Sequence, residues 1–167
     1  MPDIIGFPFS ADLICRQMMT KEIMKTNEKS KEYNMVLSEK DAVDLIDTRN
    51  YALKSLGRVE IGTGVISRII DAFCDSSYLW QANYAPVLHE LIETFYYIKN
   101  ETLDLLSDDE LIKLMKDCFE NRCRGSVELL QGRELEMLAR DIRFGIKPGT
   151  NEEDDEIDPE EEDYGGE

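Results

Sequence analysis

The chain has little of the residues from which most metal and catalytic sites are built. It contains a single histidine, His89, and its four cysteines include no Cys-x-x-Cys pair. A structural zinc site usually needs Cys or His ligands in paired short spacings. No run approaches the ~18 apolar residues that a membrane span requires, and no basic residue precedes the apolar N-terminal stretch as in a secretory signal. These absences predict a cytoplasmic protein with reduced thiols, no cofactor, no metal and no membrane contact.

Positive charge is missing from the C-terminal end of the sequence. Residues 151–167 hold 11 acids and no Lys or Arg, whereas residues 1–150 hold 25 acids and 19 bases. The net charge of −17 therefore divides into −6 for the body and −11 for this acidic tail. Because the tail has almost no apolar side chains to bury, we expect it to be disordered. The body has the length and apolar content of one folded domain.

Helix signals dominate the body of the chain. Leu and Ile number 17 and 15, against 6 Val, and apolar residues recur at helical spacing. The two most regular stripes comprise Val65, Ile66, Ile69, Ile70 and Phe73, then Tyr84, Leu88, Leu91, Ile92, Phe95 and Ile98. We therefore expect an all-α fold, a compact bundle of about six helices, with one very short extended segment at residues 58–61.

Capping residues predict where several helices begin. Ser38 and Ser107 fit the N-cap position because each is followed by an acid three residues later, and Asn83 is a third candidate. Residues 1–19 are apolar but aperiodic, so we expect an irregular arm packed on the domain. The helical domain itself is predicted to span residues 20–150.

Five short stretches are characteristic as an ordered set. They are Thr48-Arg49-Asn50 with Ala52-Leu53, Gly57-Arg58-Val59-Glu60, Ala72-Phe73-Cys74-Asp75-Ser76, Phe95-Tyr96-Tyr97 with Lys99-Asn100-Glu101, and Ser107-Asp108-Asp109-Glu110-Leu111. Together they resemble a small bacterial family described as a domain of unknown function and best recorded in anaerobic Gram-positive genomes. The resemblance covers roughly residues 20–140 and leaves out the acidic tail. It implies a bacterial, cytoplasmic, helical protein and transfers no activity, ligand or catalytic residue.

Arg49 interrupts an apolar helix face. The apolar residues of that face are Ala42, Ile46 and Leu53, and Arg49 projects from the middle of it. A buried guanidinium needs a carboxylate, a set of carbonyls or an anionic ligand, because an unpaired buried charge is strongly destabilising. The favoured interpretation is an internal ion pair, with Glu60 or an acid of the fourth predicted helix as partner. An anion pocket is the alternative.

That alternative defines a second candidate function, a small anionic-ligand-binding protein or an enzyme. The turn Gly62-Thr63-Gly64 is similar to half of a phosphate-binding loop, but the third glycine and the Walker Gly-Lys-Ser/Thr are missing. A ligand site here would use Arg49 and Arg58 as its cations. The polar loop around Asp75 and Ser76 is a further candidate contact surface.

Arginines are concentrated near the end of the helical domain. Five of the nine lie there, namely Arg122, Arg124, Arg133, Arg140 and Arg143. Residues 122–147 carry six bases against four acids, a local positive excess in an acidic chain. Glu136 and Arg140 stand at i,i+4, which favours an exposed ion pair of about 0.2–0.5 kcal/mol. This basic face predicts a non-enzymatic interaction or adaptor protein that docks an acidic protein partner or its own tail.

Two weaker patterns point to other classes. His89 and Glu93 share a helix face, but two ligands do not make a metal site. The fifth and sixth predicted helices are similar to a helix-turn-helix reader of DNA, yet their turn is longer than usual and the net charge opposes phosphate attraction. Nucleic-acid binding therefore ranks third, behind a protein partner and a small ligand. No complete catalytic set can be assembled, and the sequence indicates no oligomeric state.

Overall fold

A computed structural model describes residues 2–146, with side chains described from residue 13 onward. Within this range there are six main helices and no strand, so the all-α prediction is confirmed. The helices are α1 (Pro2–Lys25), α2 (Glu39–Ser55), α3 (Ile66–Phe73), α4 (Gln81–Glu101), α5 (Asp108–Asp117) and α6 (Leu135–Arg143). Shorter α, 3-10 and π turns join them at Asn27–Ser30, Lys31–Tyr33, Cys118–Arg122, Val127–Leu129 and Leu130–Glu134.

Helix α4 is the centre of the bundle. It packs most extensively against α2 and also contacts α3, α5 and α6. Both apolar stripes expected from the sequence, on α3 and on α4, are buried in one core. Burial of apolar surface stabilises a fold by roughly 25 cal/mol per Å², and this shared core fixes how the helix ends are placed around α4.

Two predicted N-caps are confirmed by their hydrogen bonds. Ser38 Oγ accepts from the backbone N–H of Asp41 at 3.0 Å, and the Asp41 carboxylate accepts from the N–H of Ser38 at 2.9 Å. Ser107 and Glu110 make the same reciprocal pair at 3.2 and 2.9 Å. Each pair satisfies two backbone donors that a helix start leaves free, so α2 and α5 begin where the sequence places them.

The third predicted cap is wrong. Helix α4 begins at Gln81, with Trp80 as the N-cap residue, so Asn83 is already inside the first turn. Asn83 still serves the helix start, because its Oδ1 accepts from the N–H of Trp80 at 2.7 Å. Pro86 lies in the second turn of the helix.

The N-terminal segment is also helical where an irregular arm was expected. Helix α1 includes residues 13–19, and Thr20 continues it by donating its hydroxyl to the carbonyl of Arg16 at 2.8 Å. Leu13, Ile14 and Met18 are exposed in the described chain. Apolar residues therefore occupy the outer face of α1 as well as the inner one, which removes the periodicity that would have indicated a helix.

The predicted extended segment, the last helical stretch and the predicted end of the domain differ in outcome. Residues 58–61 are non-helical and pair with no strand within the range described. The helical stretch before α6 is interrupted at Gly132, whose φ of −80° and ψ of −106° are not helical. The predicted end of the domain at residue 150 and the predicted disorder of residues 151–167 lie outside the described residues.

The four thiols differ sharply in their surroundings. Cys15 is exposed, whereas Cys74, Cys118 and Cys123 are buried, and all four are unbridged. Burial raises the pKa of the Cys74 and Cys123 thiols and raises that of Cys118 to about 11. Thiolate is the reactive form, so these three are expected to resist alkylation.

We therefore predict that iodoacetamide alkylates Cys15 at least about 100-fold faster than the three buried cysteines near pH 8. Mass spectrometry of tryptic peptides over a time course measures the four rates. In denaturing urea all four cysteines should react at similar rates, which is the control for intrinsic reactivity. Equal rates in the native protein would show that the core around Cys118 is open.

Candidate functional site

An arginine-lined groove of about 670 Å³ lies between α4 and residues 132–143, which comprise α6 and part of the turn before it. We call it the α4–α6 groove. Its charged, aromatic and thioether lining comprises Tyr97 and Glu101 of α4 together with Arg133, Glu136, Met137, Arg140 and Arg143. The groove therefore combines three guanidinium groups with two carboxylates and a partly apolar floor.

The three arginines reach the groove because of their spacing, with Arg140 and Arg143 on α6 and Arg133 in the π-helical turn that precedes it. Arg133 and Arg140 are seven residues apart and Arg143 follows three later, which places them on one side of a helix. The side facing the core carries Leu135, Ala139 and Ile142, all buried. Burial of that face thus directs the arginines outward beside α4.

Two of these guanidinium groups have no carboxylate partner among the side chains that the structure describes, those of residues 13–146. Arg143 Nη1 lies 3.2 Å from Glu101 Oε2 and is paired across the groove. The ion pair predicted between Glu136 and Arg140 does not form. Of the carboxylates that the structure describes, none comes within 4.0 Å of the guanidinium nitrogens of Arg133 or Arg140. Both side chains are exposed and available to an external anion.

The predicted five-arginine face is narrower than the sequence suggested. Arg122 is outside the α4–α6 groove and its Nη1 lies 3.3 Å from Glu134 Oε2. Arg124 is in the turn that follows the π-helical residues after α5, with a φ of 50°, and does not line the groove either. Only Arg133, Arg140 and Arg143 are brought together.

Tyr97 and Met137 are groove residues that sequence reasoning missed. Their exposed fractions are 46% and 42%, so both present apolar surface to solvent beside the arginines. Tyr, Met and Arg are enriched at protein–protein interfaces, where they supply large contact areas. A signal was available: Tyr97 falls outside the apolar stripe of α4 and directly follows the buried Tyr96.

Arg49 lies in a separate, buried polar cluster. Its side chain is almost fully buried, with Nη1 donating to the carbonyl of Gly62 at 2.6 Å and Nε to Asn50 Oδ1 at 3.0 Å. Arg49 Nη1 also lies 3.6 Å from Glu60 Oε1. The predicted internal ion pair with Glu60 is therefore confirmed, and an acid of α4 is not the partner.

Glu60 is held in this cluster by two further donors. Its Oε2 accepts from the Tyr96 hydroxyl at 2.6 Å and its Oε1 accepts from the N–H of Val65 at 3.2 Å. Burial, together with the hydrogen bond to Glu60, raises the pKa of Tyr96 well above its usual range. Gly64 packs directly on the carboxylate, since a Cβ there would overlap Glu60 Oε1. The turn Gly62-Thr63-Gly64 therefore packs against a carboxylate of the protein itself, that of Glu60.

Arg58, the second cation of the predicted ligand site, is paired as well. Its Nη1 and Nη2 donate to the two carboxylate oxygens of Asp104 at 3.0 and 2.8 Å. This bidentate hydrogen bond raises the pKa of Arg58 and lowers that of Asp104. A cavity of about 300 Å³ does border Arg58, Glu60 and Tyr96. The cations beside it, however, already face carboxylates.

Asp75 and Ser76 do not join that cavity. The Asp75 carboxylate pairs with the ammonium group of Lys116. Ser76 is buried and its Oγ accepts from the N–H of Tyr78 at 3.2 Å, which closes the turn between α3 and α4. Both residues therefore have structural contacts that account for their side chains.

The remaining sequence patterns gain no further ligands from the fold. His89 Nδ1 lies 2.6 Å from Thr48 Oγ1, which joins α4 to α2. In the described part of the chain, no group of three or more His, Cys, Asp or Glu side chains is placed to hold a metal ion. None of the described helices combines the length and apolar character needed to cross a membrane.

The fold and the groove together define a class, an all-helical protein with an arginine-lined surface groove. Within that class the chain belongs to DUF6323, a family of unknown function, whose family model matches residues 22–148. The match extends over α2 to α6 and so includes the whole groove, whereas the acidic residues 151–167 lie outside it. The predicted resemblance to a family of unknown function is thereby confirmed. No curated protein and no solved structure matches the chain.

Proposed function

We propose that this is a non-enzymatic interaction protein of the bacterial cytoplasm that binds an acidic segment of a protein partner in the α4–α6 groove. The observation that carries this proposal is the pair of exposed guanidinium groups of Arg133 and Arg140, neither of which pairs with a carboxylate in the described part of the chain. They stand beside the exposed side chains of Tyr97 and Met137. The bacterial and cytoplasmic setting follows the family resemblance in the sequence.

The groove fits a peptide better than a single small anion. Arg133, in the turn before α6, and Arg140 are seven residues apart, roughly 10 Å at about 1.5 Å per helical residue. A peptide in the polyproline II conformation advances about 3.1 Å per residue with about three residues per turn, so two acids three residues apart lie on one side of it, about 9 Å apart, and would match the two arginines. Guanidinium groups bind carboxylates through paired hydrogen bonds. An apolar side chain between or beside the acids would contact Tyr97 and Met137.

We predict that the double substitution Arg133→Glu and Arg140→Glu weakens binding of an acidic peptide at least about tenfold. Each hydrogen bond between charged groups contributes about 1.5–3 kcal/mol, and a tenfold change in affinity corresponds to 1.4 kcal/mol. The probe is a fluorescein-labelled peptide, Glu-Leu-Tyr-Glu flanked by glycines, and fluorescence anisotropy measures its dissociation constant. The experiment is done at low ionic strength because salt screens exposed charges.

The matched control is the double substitution Arg122→Glu and Arg124→Glu. It changes the net charge by the same amount on residues outside the groove. The control protein should keep most of the affinity, and the peptide Gln-Leu-Tyr-Gln should bind neither protein. Equal weakening by both substitutions would refute recognition in the groove. Stronger binding of duplex DNA or of RNA than of the acidic peptide would replace the proposal with nucleic-acid binding.

A small-ligand function is less well supported. In its favour, a cavity of about 300 Å³ borders Arg58, Glu60 and Tyr96. Against it, the guanidinium groups of Arg49 and Arg58 are both paired with carboxylates of the chain. An anionic ligand would have to displace Glu60 or Asp104 before it could contact either cation.

A further inference from the structure

We propose that the acidic tail, residues 151–167, occupies the α4–α6 groove of its own chain and so competes with a protein partner. The inference rests on the function proposed above, because it concerns regulation of the same groove. The tail has 11 acids and no Lys or Arg, and it follows directly on the part of the chain that carries the groove arginines. It is thus an acidic peptide permanently tethered beside a site for acidic peptides.

The tail has the spacing that the groove favours. Glu153 and Glu156 stand three residues apart, the separation that matches Arg133 and Arg140 along a chain in the polyproline II conformation. Ile157 follows at once, an apolar side chain of the kind that the exposed part of the groove would contact. Charge complementarity is strong here, since residues 152–156 are five consecutive acids.

The tether is long enough for the tail to fold back. The last described residue, Ile146, is three residues beyond Arg143, which is the last arginine of the groove. Six residue steps lead from Ile146 to Glu152, and an extended chain covers at most about 3.3–3.6 Å per step, about 20 Å in all. Helix α6 has nine residues and is therefore about 13 Å long. The tail can return along α6 from Arg140 to Arg133, which lies two residues before α6 begins.

Tethering makes even weak binding effective. A segment joined by a short flexible linker has an effective concentration in the millimolar range. A tail whose intrinsic dissociation constant is about two- to ninefold below this concentration would then occupy the groove about 67–90% of the time. A partner has to displace it, so the apparent affinity of the partner falls by the same competition. Salt weakens both contacts, and the difference that the tail makes should shrink as ionic strength rises.

The test uses the full chain with a neutral tail, carrying Glu152→Gln, Glu153→Gln, Asp154→Asn, Asp155→Asn and Glu156→Gln. We expect it to bind the Glu-Leu-Tyr-Glu probe about three- to tenfold more tightly than the unmodified chain at low salt. In NMR spectra the side-chain Nε–H signals of Arg133 and Arg140 should differ between the two proteins. The Arg49 signal, from a buried side chain, should stay unchanged.

A second full-length chain controls for net charge. It carries the same number of neutralised acids at exposed positions away from the groove, namely Glu28→Gln, Glu32→Gln, Glu90→Gln, Glu93→Gln and Glu128→Gln. An equal gain in affinity for this chain would overturn the tail proposal, because net charge alone would then explain the effect.

The tail proposal and the proposed function fail in different ways. If the neutral-tail and unmodified chains bind the probe equally and their arginine signals coincide, the tail does not occupy the groove, and the groove still binds acidic peptides. If the arginine signals differ but neither chain binds the probe, the tail occupies the groove and the proposed partner chemistry is wrong. Probe binding with unchanged affinity but shifted arginine signals would also refute competition.

Discussion

Substitution of Arg49 by methionine is expected to lower the free energy of unfolding by about 3–5 kcal/mol, the usual cost of removing one member of a buried ion pair. The Glu60 side chain, only 19% exposed, would remain inside without its counter-charge. The carbonyl of Gly62 would lose its 2.6 Å donor as well. Methionine fills a similar volume, so the loss reports on charge and hydrogen bonding more than on packing.

Arg58→Met is the matched control for this experiment. Arg58 also pairs with a carboxylate, but the side chains of Arg58 and Asp104 are 24% and 50% exposed. Exposed ion pairs contribute about 0–1 kcal/mol, so this loss should be several-fold smaller. Urea unfolding monitored by circular dichroism measures both variants, and protection of Cys118 from iodoacetamide verifies that each is folded.

A double-mutant cycle separates the pair from its surroundings. Glu60→Gln added to Arg49→Met removes the unpaired buried charge, and the double variant should therefore be more stable than Arg49→Met alone. Coupling between contacting charged residues is typically about 0.5–3 kcal/mol. Additive effects, or equal losses for Arg49→Met and Arg58→Met, would show that Glu60 does not need Arg49. A ligand-binding defect without loss of stability would instead support an anion pocket at Arg49.

Arg49 also shows how far sequence reasoning reaches in this protein. One charged residue on an apolar helix face predicts a buried partner, and Glu60 is a natural candidate because it lies only a short loop away. The Tyr96 hydroxyl could not be foreseen as a third member. The sequence places Tyr96 among the apolar residues of α4. Its hydrogen bond to Glu60 depends on how α4 crosses the loop of residues 58–65.

The α4–α6 groove, in contrast, could be predicted only in part from the sequence. The sequence identifies five arginines near the end of the domain, but which of them converge depends on the packing of α6 against α4. The i,i+4 spacing of Glu136 and Arg140 predicts a pair, yet such exposed pairs are worth only tenths of a kcal/mol. So small a preference does not fix a side chain, and Arg140 is left free of carboxylates within the described chain. Preferences this weak therefore do not determine which exposed charges of the groove pair with each other.

Helix α1 shows a third reason for a wrong prediction. Periodicity identifies a helix only when one face is apolar and the other polar. Leu13, Ile14 and Met18 place apolar side chains on the outer face, which makes the pattern aperiodic although the backbone is helical. In contrast, α3 and α4 are buried along one clear stripe each, and both stripes were predicted correctly although the start of α4 was not.

Gly64→Ala is expected to be the second strongly destabilising substitution, with a loss of about 3–4 kcal/mol. Gly64 has a φ of +54°, where an L-residue costs about 1–2 kcal/mol. Its new Cβ would also overlap Glu60 Oε1, so the carboxylate would have to leave Arg49, Tyr96 or both. That displacement disturbs the same buried pair whose disruption costs about 3–5 kcal/mol when it is complete.

Gly62→Ala provides the control that isolates the second effect. Gly62 has a φ of +73°, a similar conformational cost, but a Cβ there meets no atom within 4 Å. Its loss should therefore be limited to about 1–2 kcal/mol, which leaves a difference of roughly 2 kcal/mol between the two alanine variants. For a chain of this size that difference corresponds to a melting temperature about 4–8 °C lower for Gly64→Ala, measurable by calorimetry.

A third background decides whether Glu60 is the cause. In a Glu60→Ala chain the atoms that the new Cβ would overlap are absent, since all three nearest atoms to Gly64 belong to the Glu60 side chain beyond its Cβ. Gly64→Ala should then cost no more than Gly62→Ala does in the same background. A Gly64→Ala loss that stays about 2 kcal/mol larger there would mean that backbone strain explains it. In that case Gly64 would be required for its backbone conformation alone. If instead Gly64→Ala and Gly62→Ala cost the same in the Glu60→Ala chain, Gly64 is required because a buried carboxylate packs against it.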